Sequence, residues 1–212
     1  MSQSKSQSQP QPQPQQQDKS QKTSEAQEPD QSVPDQSVPH EFKKICKDFL
    51  GDILNTFSEY KEDQQLNEDL SFIYNTNLED ISDDNKHIIN IFNHCKGILP
   101  ERFFDILYKN TKMFSLENET EMRTDFLPGI DFKVLWNDKD ISDNTRDVIW
   151  RYLQLIMFSI IEKIDHRESF GDTAKLFEAI DESELKTKIE EVMDQMKDVF
   201  DNPSNGEGIN MD

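Results

Sequence analysis

Between Asp143 and Ile164 apolar side chains occupy almost every side of a helical wheel. Val148, Ile149, Trp150, Tyr152, Leu153, Leu155, Ile156, Met157, Phe158, Ile160, Ile161 and Ile164 leave little of the circumference polar. A helix of that kind has to be covered by neighbours on several sides. Its greasiest run, Leu153 to Ile161, contains Gln154 and is far shorter than the ~20 residues a membrane span needs. The segment therefore predicts the central helix of a packed α-helical domain, and the rest of the chain must supply helices to cover it.

Those helices are visible as repeats of three and four. Phe42, Ile45, Cys46, Phe49, Leu50, Ile53, Leu54 and Phe57 form one wide stripe on a helix starting at Pro39 or His40 and ending near Tyr60. Lys61 to Asp69 reads as a loop, and Leu70 to Leu78 as a short helix or an irregular segment. Asp140-Ile141-Ser142-Asp143 opens the central helix, with Ser142 as a cap and acids at its positive end. Asp80-Ile81-Ser82-Asp83 repeats the pattern, which predicts Ser82 as the cap of a helix carrying Ile88, Ile89, Ile91, Phe92 and Cys95. Gly97 is its expected stop, and Pro100 the first position of a following helix with Phe103, Phe104, Ile106, Leu107 and optionally Tyr108 inward. Pro128-Gly129 marks a turn, and Asp131 caps a turn or two bearing Phe132, Leu135 and Trp136. Asp172 is expected to cap a short helix. Asp181 with Glu184 reads as a capping-box variant at the start of a last, narrow-striped helix through Leu185, Ile189, Val192, Met193, Met196 and Phe200. A short coiled coil or a partner helix is a possible use of that stripe.

Composition sets the boundaries. Residues 1–39 hold six of the nine prolines, and only Met1, Ala26, Val33 and Val38 as hydrophobic side chains. The pentad Pro-Asp-Gln-Ser-Val occurs twice there, from Pro29 to Val38. Such a segment has too little to bury to offset the entropy of ordering, and is expected to be a disordered Gln/Ser/Pro-rich tail. The expected organisation is this tail over 1–39, a helical core over 40–165, acidic amphipathic helices over 166–202 and a flexible end over 203–212. The fold class is all-α, an irregular bundle of about five to seven helices.

The formal net charge is −20, from 23 basic and 43 acidic side chains. That field repels phosphate backbones and anionic lipid, so neither nucleic acid nor membrane is an expected direct partner. It suits solubility or a basic protein partner. The start, Met-Ser-Gln-Ser-Lys, has no apolar stretch of a secretory signal. The expectation is a location that is neither secreted nor transmembrane.

Cys46, Cys95, His40, His87, His94 and His166 lack the paired spacing of zinc ligands, and both cysteines fall on apolar stripes. Asp138, Asp140 and Ser142 have the alternation of a calcium loop, but Asp143 stands where glycine is needed and Ile149 where glutamate is. The stretch from Asp201 places Pro203 at a ligand position. No phosphate-binding glycine motif or nucleophile elbow occurs in the sequence. His94 and Cys95 are adjacent, so on a helix they point about 100° apart. Trp136, Trp150 and Tyr152 either anchor the core or line a ligand pocket. The sequence assigns no catalytic, cofactor-binding or metal-ligating residue, and implies no cofactor.

Phe126–Ile161, FLPGIDFKVLWNDKDISDNTRDVIWRYLQLIMFSII, resembles a segment of uncharacterised proteins of nucleocytoplasmic large DNA viruses, the mimivirus-like group of protists and algae. The residues that carry it are the turn Leu127-Pro128-Gly129-Ile130-Asp131-Phe132, then Leu135-Trp136, then Ile149-Trp150-Arg151-Tyr152-Leu153-Gln154. The following LFEAIDESELKTKIEE is similar too. The resemblance is good over 126–195 and looser over 40–200, and the family offers no catalytic residues to carry over. It implies a viral protein acting in the host cytoplasm or carried in the particle, and a parent chain extending beyond Gly208-Ile209-Asn210-Met211-Asp212. Two classes of function follow as expectations: a non-enzymatic interaction or structural protein, or an enzyme of unrecognised type with a pocket near Trp136 and Trp150. A regulator that binds a basic protein through its charge is a third.

Overall fold

A computed structural model describes residues 37–62, 66–117, 122–161 and 181–201; for residues 61, 62, 182 and 195–201 it describes the backbone alone. The expected tail through residue 36, the helix capped by Asp172 and the segment after Asp201 lie outside these residues. The described residues all fall within one unit, 36–212.

The fold is all-α. The helices are α1 (His40–Thr56), α2 (Glu59–Glu62), α3 (Glu68–Asn75), α4 (Lys86–Ile98), α5 (Phe103–Leu107), α6 (Phe132–Trp136), α7 (Asp143–Ile161) and α8 (Glu182–Asp201). Single 3-10 turns occur at Leu78–Asp80, Leu99–Arg102 and Thr111–Phe114. The one non-helical pairing among the described residues is an isolated bridge, Leu127 to Ile130.

The central helix is where its pattern requires. α7 packs against α1, α4, α5 and α8, and its buried residues run around the helix from Val148 to Ile160. Arg151, exposed, marks the narrow side left to solvent. Ser142 Oγ accepts from the Thr145 amide at 3.0 Å, the expected cap. α1 buries the whole predicted stripe from Phe42 to Leu54. Phe57, just past its end, is also buried.

Aromatic rings continue the core from one element to the next. Tyr152 of α7 stacks on Phe49 of α1 at 4.4 Å between centroids. Phe49 meets Phe132 of α6 at 5.4 Å, and Phe132 meets Phe126 at 5.5 Å. Phe126 meets Phe114 at 6.4 Å, and Phe114 returns to α7 through Trp150 at 5.3 Å. The circuit starts and ends on α7, two residues apart. The turn that brings Phe126 and Phe132 together is Leu127-Pro128-Gly129-Ile130, closed by Ile130 N–H donating to the Leu127 carbonyl at 3.0 Å. Gly129 has φ +80°, as the third residue of a type II turn requires, after proline at the second.

Four expectations need correction. Val38, assigned to the tail, is only 2% exposed and belongs to the core. An apolar side chain directly before a helix has a surface to pack on, whatever the composition upstream. Ser82 does not cap α4. Asn85 does, its Oδ1 accepting from the His87 amide at 2.9 Å, while Ser82 starts a turn that the Asn85 amide closes at 3.1 Å. The echo of the α7 cap is thus overridden by tertiary anchoring: Ile81 is buried and its carbonyl accepts from Lys43 Nζ at 3.0 Å, which holds this segment against α1. Gly97 does not stop α4, which continues to Ile98 and passes without a loop into the 3-10 turn at Leu99–Arg102 containing Pro100. Lys61–Asp69, expected as a loop, holds the end of α2 and the start of α3, and Leu70–Leu78 divides into the rest of α3 and the start of a 3-10 turn, with short helices forming wherever a few apolar residues can pack on α1 and α4.

Two polar side chains inside the body hold helix C-termini, where the last carbonyls have no partner in their own helix. Gln154, 2% exposed, donates from Nε2 to the Ile106 and Leu107 carbonyls of α5 at 3.1 and 3.2 Å. Lys47 donates from Nζ to the Ile73, Tyr74 and Thr76 carbonyls at the end of α3, at 2.8, 3.0 and 2.7 Å. The Ile106 carbonyl also receives the Lys109 amide, so Gln154→Leu strands chiefly the Leu107 carbonyl in a dry place. That change is expected to cost about 1–3 kcal/mol, whereas Lys47→Met, at a half-exposed end that water can reach, costs about 1 kcal/mol. Urea unfolding followed by circular dichroism measures both, and the reverse order would contradict this account of Gln154.

Candidate functional site

Trp136, Trp150 and Tyr152 do not line one hollow. Trp136 stacks on Phe114 at 4.7 Å and meets Trp150 at 5.4 Å, so the three rings fill the space between them. Arg146 covers the outer face of this group, 5.7 Å from the Trp136 centroid. Tyr152 is buried elsewhere, on Phe49, and its hydroxyl donates to Asp52 Oδ2 at 2.7 Å. Trp150 and Tyr152 are core, and Trp136, half-buried, packs against it.

The cysteines and histidines are likewise dispersed. Cys46 on α1 and Cys95 on α4 are both buried and free. Cys95 Sγ donates to the Phe126 carbonyl at 3.4 Å, which ties α4 to the segment before the Pro128-Gly129 turn. Burial pushes the Cys46 thiol well above its ordinary pKa, and the neighbouring Cys95 pushes it further. Burial also raises the Cys95 thiol, against a smaller opposing effect of its own backbone hydrogen bond. Two un-ionised, enclosed thiols are poor nucleophiles.

His87 stacks on Phe72 at 4.3 Å, and its Nδ1 lies 2.7 Å from Asp69 Oδ1. Asn90 donates to both oxygens of the same carboxylate at 3.2 Å, so Asp69 joins the start of α3 to the start of α4. His94 Nε2 meets the Asp125 carbonyl, and a carbonyl can only accept, so that nitrogen carries the proton. His40 is exposed at the start of α1, and His166 lies outside the described residues. Among the described residues no group of three or more His, Cys, Asp or Glu stands so as to hold a metal ion.

Asp125 is gripped by an arginine two residues before it. Arg123 donates to it from Nε at 3.1 Å and from Nη2 at 2.7 Å. Burial pushes its pKa up, but the Arg123 hydrogen bonds, its own backbone amide and the charges of Arg123 and His94 outweigh that and hold it below the usual aspartate value.

The acids that resemble the start of a calcium loop do share a cleft. Thr56, Phe57, Glu59, Asp138, Asp140, Ile141, Ser142 and Thr145 surround about 360 Å³ where the end of α1 meets the entry to α7. Its polar groups have local duties. Asp138 Oδ1 accepts from the Asp140 amide at 2.8 Å. Ser142 Oγ caps α7 and lies 2.8 Å from Thr145 Oγ1. Three carboxylates on the rim favour a cation over an anion, and the hydroxyls here are cap groups rather than activated nucleophiles. Sequence reasoning found Asp138, Asp140 and Ser142 by their alternation. It missed Thr56, Phe57 and Glu59, which sit about eighty residues earlier and carry no local signal of the encounter.

Two outcomes follow. The native chain is expected to leave both cysteines unreacted with a disulfide reagent at neutral pH, and to release two thiols at the rate of unfolding when urea is added; fast native labelling of either thiol would contradict their enclosure. The Asp125 carboxyl titrates lower in the folded state than in the unfolded one. Its contribution is therefore present above the unfolded value, about 3.9, and is lost as pH falls through the folded value. Asp125→Asn should flatten that part of the acid limb of the stability curve, measured by urea midpoints from about pH 2 to pH 6.

No protein-family model matches the chain, no curated protein matches it, and no solved structure matches its fold.

Proposed function

We propose that this chain is a non-enzymatic helical interaction or structural protein of a large DNA virus, carried in the particle or acting in the infected cytoplasm. The observation that carries this reading is how the interior polar groups are used. Lys43, Lys47, Gln154, His94 and Tyr152 each face a backbone carbonyl or a carboxylate of another element, and each bond joins two parts of the body. Groups engaged in that way support a rigid scaffold. The resemblance of Phe126–Ile161 to proteins of mimivirus-like viruses supports the viral setting. Among the described residues no helix is long and apolar enough to cross a membrane, which fits a partner that is not lipid.

The net charge of −20 favours a narrower form of the same reading, in which the partner is a basic protein. Cross-linking with the full chain as bait, in infected cells and in purified particles, tests both. The expected result is reproducible linkage to one or a few proteins. If the partner is chosen by charge, its retention falls steeply as salt rises from about 0.05 to 0.5 M, where the screening length drops below about 5 Å. Recovery of no protein above an unrelated chain of equal charge would overturn the proposal.

A further inference from the structure

His87 is held in the way a nucleophilic imidazole has to be held. Its Nδ1 lies 2.7 Å from Asp69 Oδ1. A carboxylate only accepts, so the proton sits on Nδ1, and in the neutral ring the lone pair is on Nε2. Asn90 donates to both oxygens of Asp69 at 3.2 Å, which fixes the carboxylate. Phe72 stacks on the imidazole at 4.3 Å, which fixes its plane. Asp69 and Phe72 belong to α3, and His87 and Asn90 to the first two turns of α4, so the joint between these helices sets both the tautomer and the direction of Nε2. No further hydrogen bond to the His87 ring occurs among the described residues. The side chain keeps 11% of its surface open. The other described histidines are placed differently. His40 is exposed at the start of α1, and His94 turns its Nε2 to the Asp125 carbonyl.

We propose that His87 is a phosphoryl acceptor: Nε2 takes a phosphoryl group from a phosphoramidate donor, such as the phosphohistidine of another protein. The Nε2 lone pair forms the new N–P bond. The donor's P–N bond breaks, and its electron pair leaves on the donor nitrogen, which takes up a proton from water. The His87 ring becomes positive as the new bond forms. Asp69 stabilises that charge through the Nδ1 proton, as a carboxylate does behind a reactive imidazole. The surroundings favour a phosphoryl group over a neutral acyl group. His87 is the second residue of the thirteen-residue α4, and the partial positive charge of that first turn and the adjacent Lys86 both favour an added anion. The site stands independently of the proposed function.

Potassium phosphoramidate, a small donor with the same kind of bond, tests this on the full chain. Phosphorus NMR follows the transfer, and mass spectrometry under neutral or alkaline conditions, where phosphohistidine survives, maps the added group. His87 is expected to be labelled about tenfold faster than His40, although His40 is the more exposed. That comparison needs no variant. Two-bond proton–nitrogen NMR of the natural chain should show His87 with its proton on Nδ1. Asp69→Asn keeps an acceptor oxygen but removes the charge. With helix content unchanged by circular dichroism, it should lower the rate at His87 about tenfold and leave the rate at His40 as it was. Label reaching any other histidine first, a proton on Nε2 of His87 in the natural chain, or an undiminished rate at His87 in folded Asp69→Asn would each overturn the proposal.

Discussion

Short helices have many ends for their length, and each end leaves carbonyls that no later residue of the same helix can reach. Here α3 and α5 end against α1 and α7, and long polar side chains of those two helices meet them. Lys47 reaches the last carbonyls of α3 and Gln154 those of α5. Lys43 does the same for Ile81, in the segment between α3 and α4, and is held there by Asp83 as well. Without these donors the short helices would have to stop farther out, where water could satisfy their ends. The long helices therefore contribute more than an apolar face: they fix where their neighbours stop. Among residues that are not exposed, no described buried side-chain nitrogen or oxygen lacks a hydrogen-bond partner.

The ring circuit from Tyr152 through Phe49, Phe132, Phe126 and Phe114 to Trp150 adds a constraint of a different kind. Edge and offset contacts between rings are directional, worth roughly 0.5–1.5 kcal/mol each beyond burial, so they select relative orientations. A cluster of aliphatic residues would hold the elements together but would tolerate sliding. The irregular stretch from Phe114 to Phe132 has little secondary structure of its own among its described residues, and its position depends on these rings, on the Pro128-Gly129 turn and on Cys95. This is also why Trp136 and Trp150 are poor candidates for a ligand pocket: the rings they would offer a ligand are already stacked on protein.

The fold is legible in the sequence where its signals are periodic and local. The stripes of α1 and α7, the caps at Ser142, Asp131 and Asp181, and the Pro128-Gly129 turn each need only a few neighbouring residues to be recognised. What failed did so for non-local reasons. Ser82 has the same neighbours as Ser142, yet the segment behind it is pinned by Lys43, about forty residues upstream, and the helix starts three residues later at Asn85. Val38 looked like tail because of the Gln/Ser/Pro run before it, but its burial is decided by what folds after it. The cleft at Thr56–Glu59 and Asp138–Thr145 joins two segments that no pattern in either one connects. Its acids were found as a defective calcium loop, which identified the residues without placing them beside α1.

The interior lysines also bear on the surface. A chain with 23 basic and 43 acidic side chains has few cations to cover its acids. Lys43 is buried, and Lys47 is turned inward onto three carbonyls, with burial pulling its pKa below the usual lysine value and Asp48 opposing that. Lys43 gives its charge to Asp83, while Lys47 is turned onto backbone carbonyls. With 43 acids and 23 bases in the chain, each cation drawn to an interior carbonyl is one fewer to pair with a surface acid, as Lys47 illustrates.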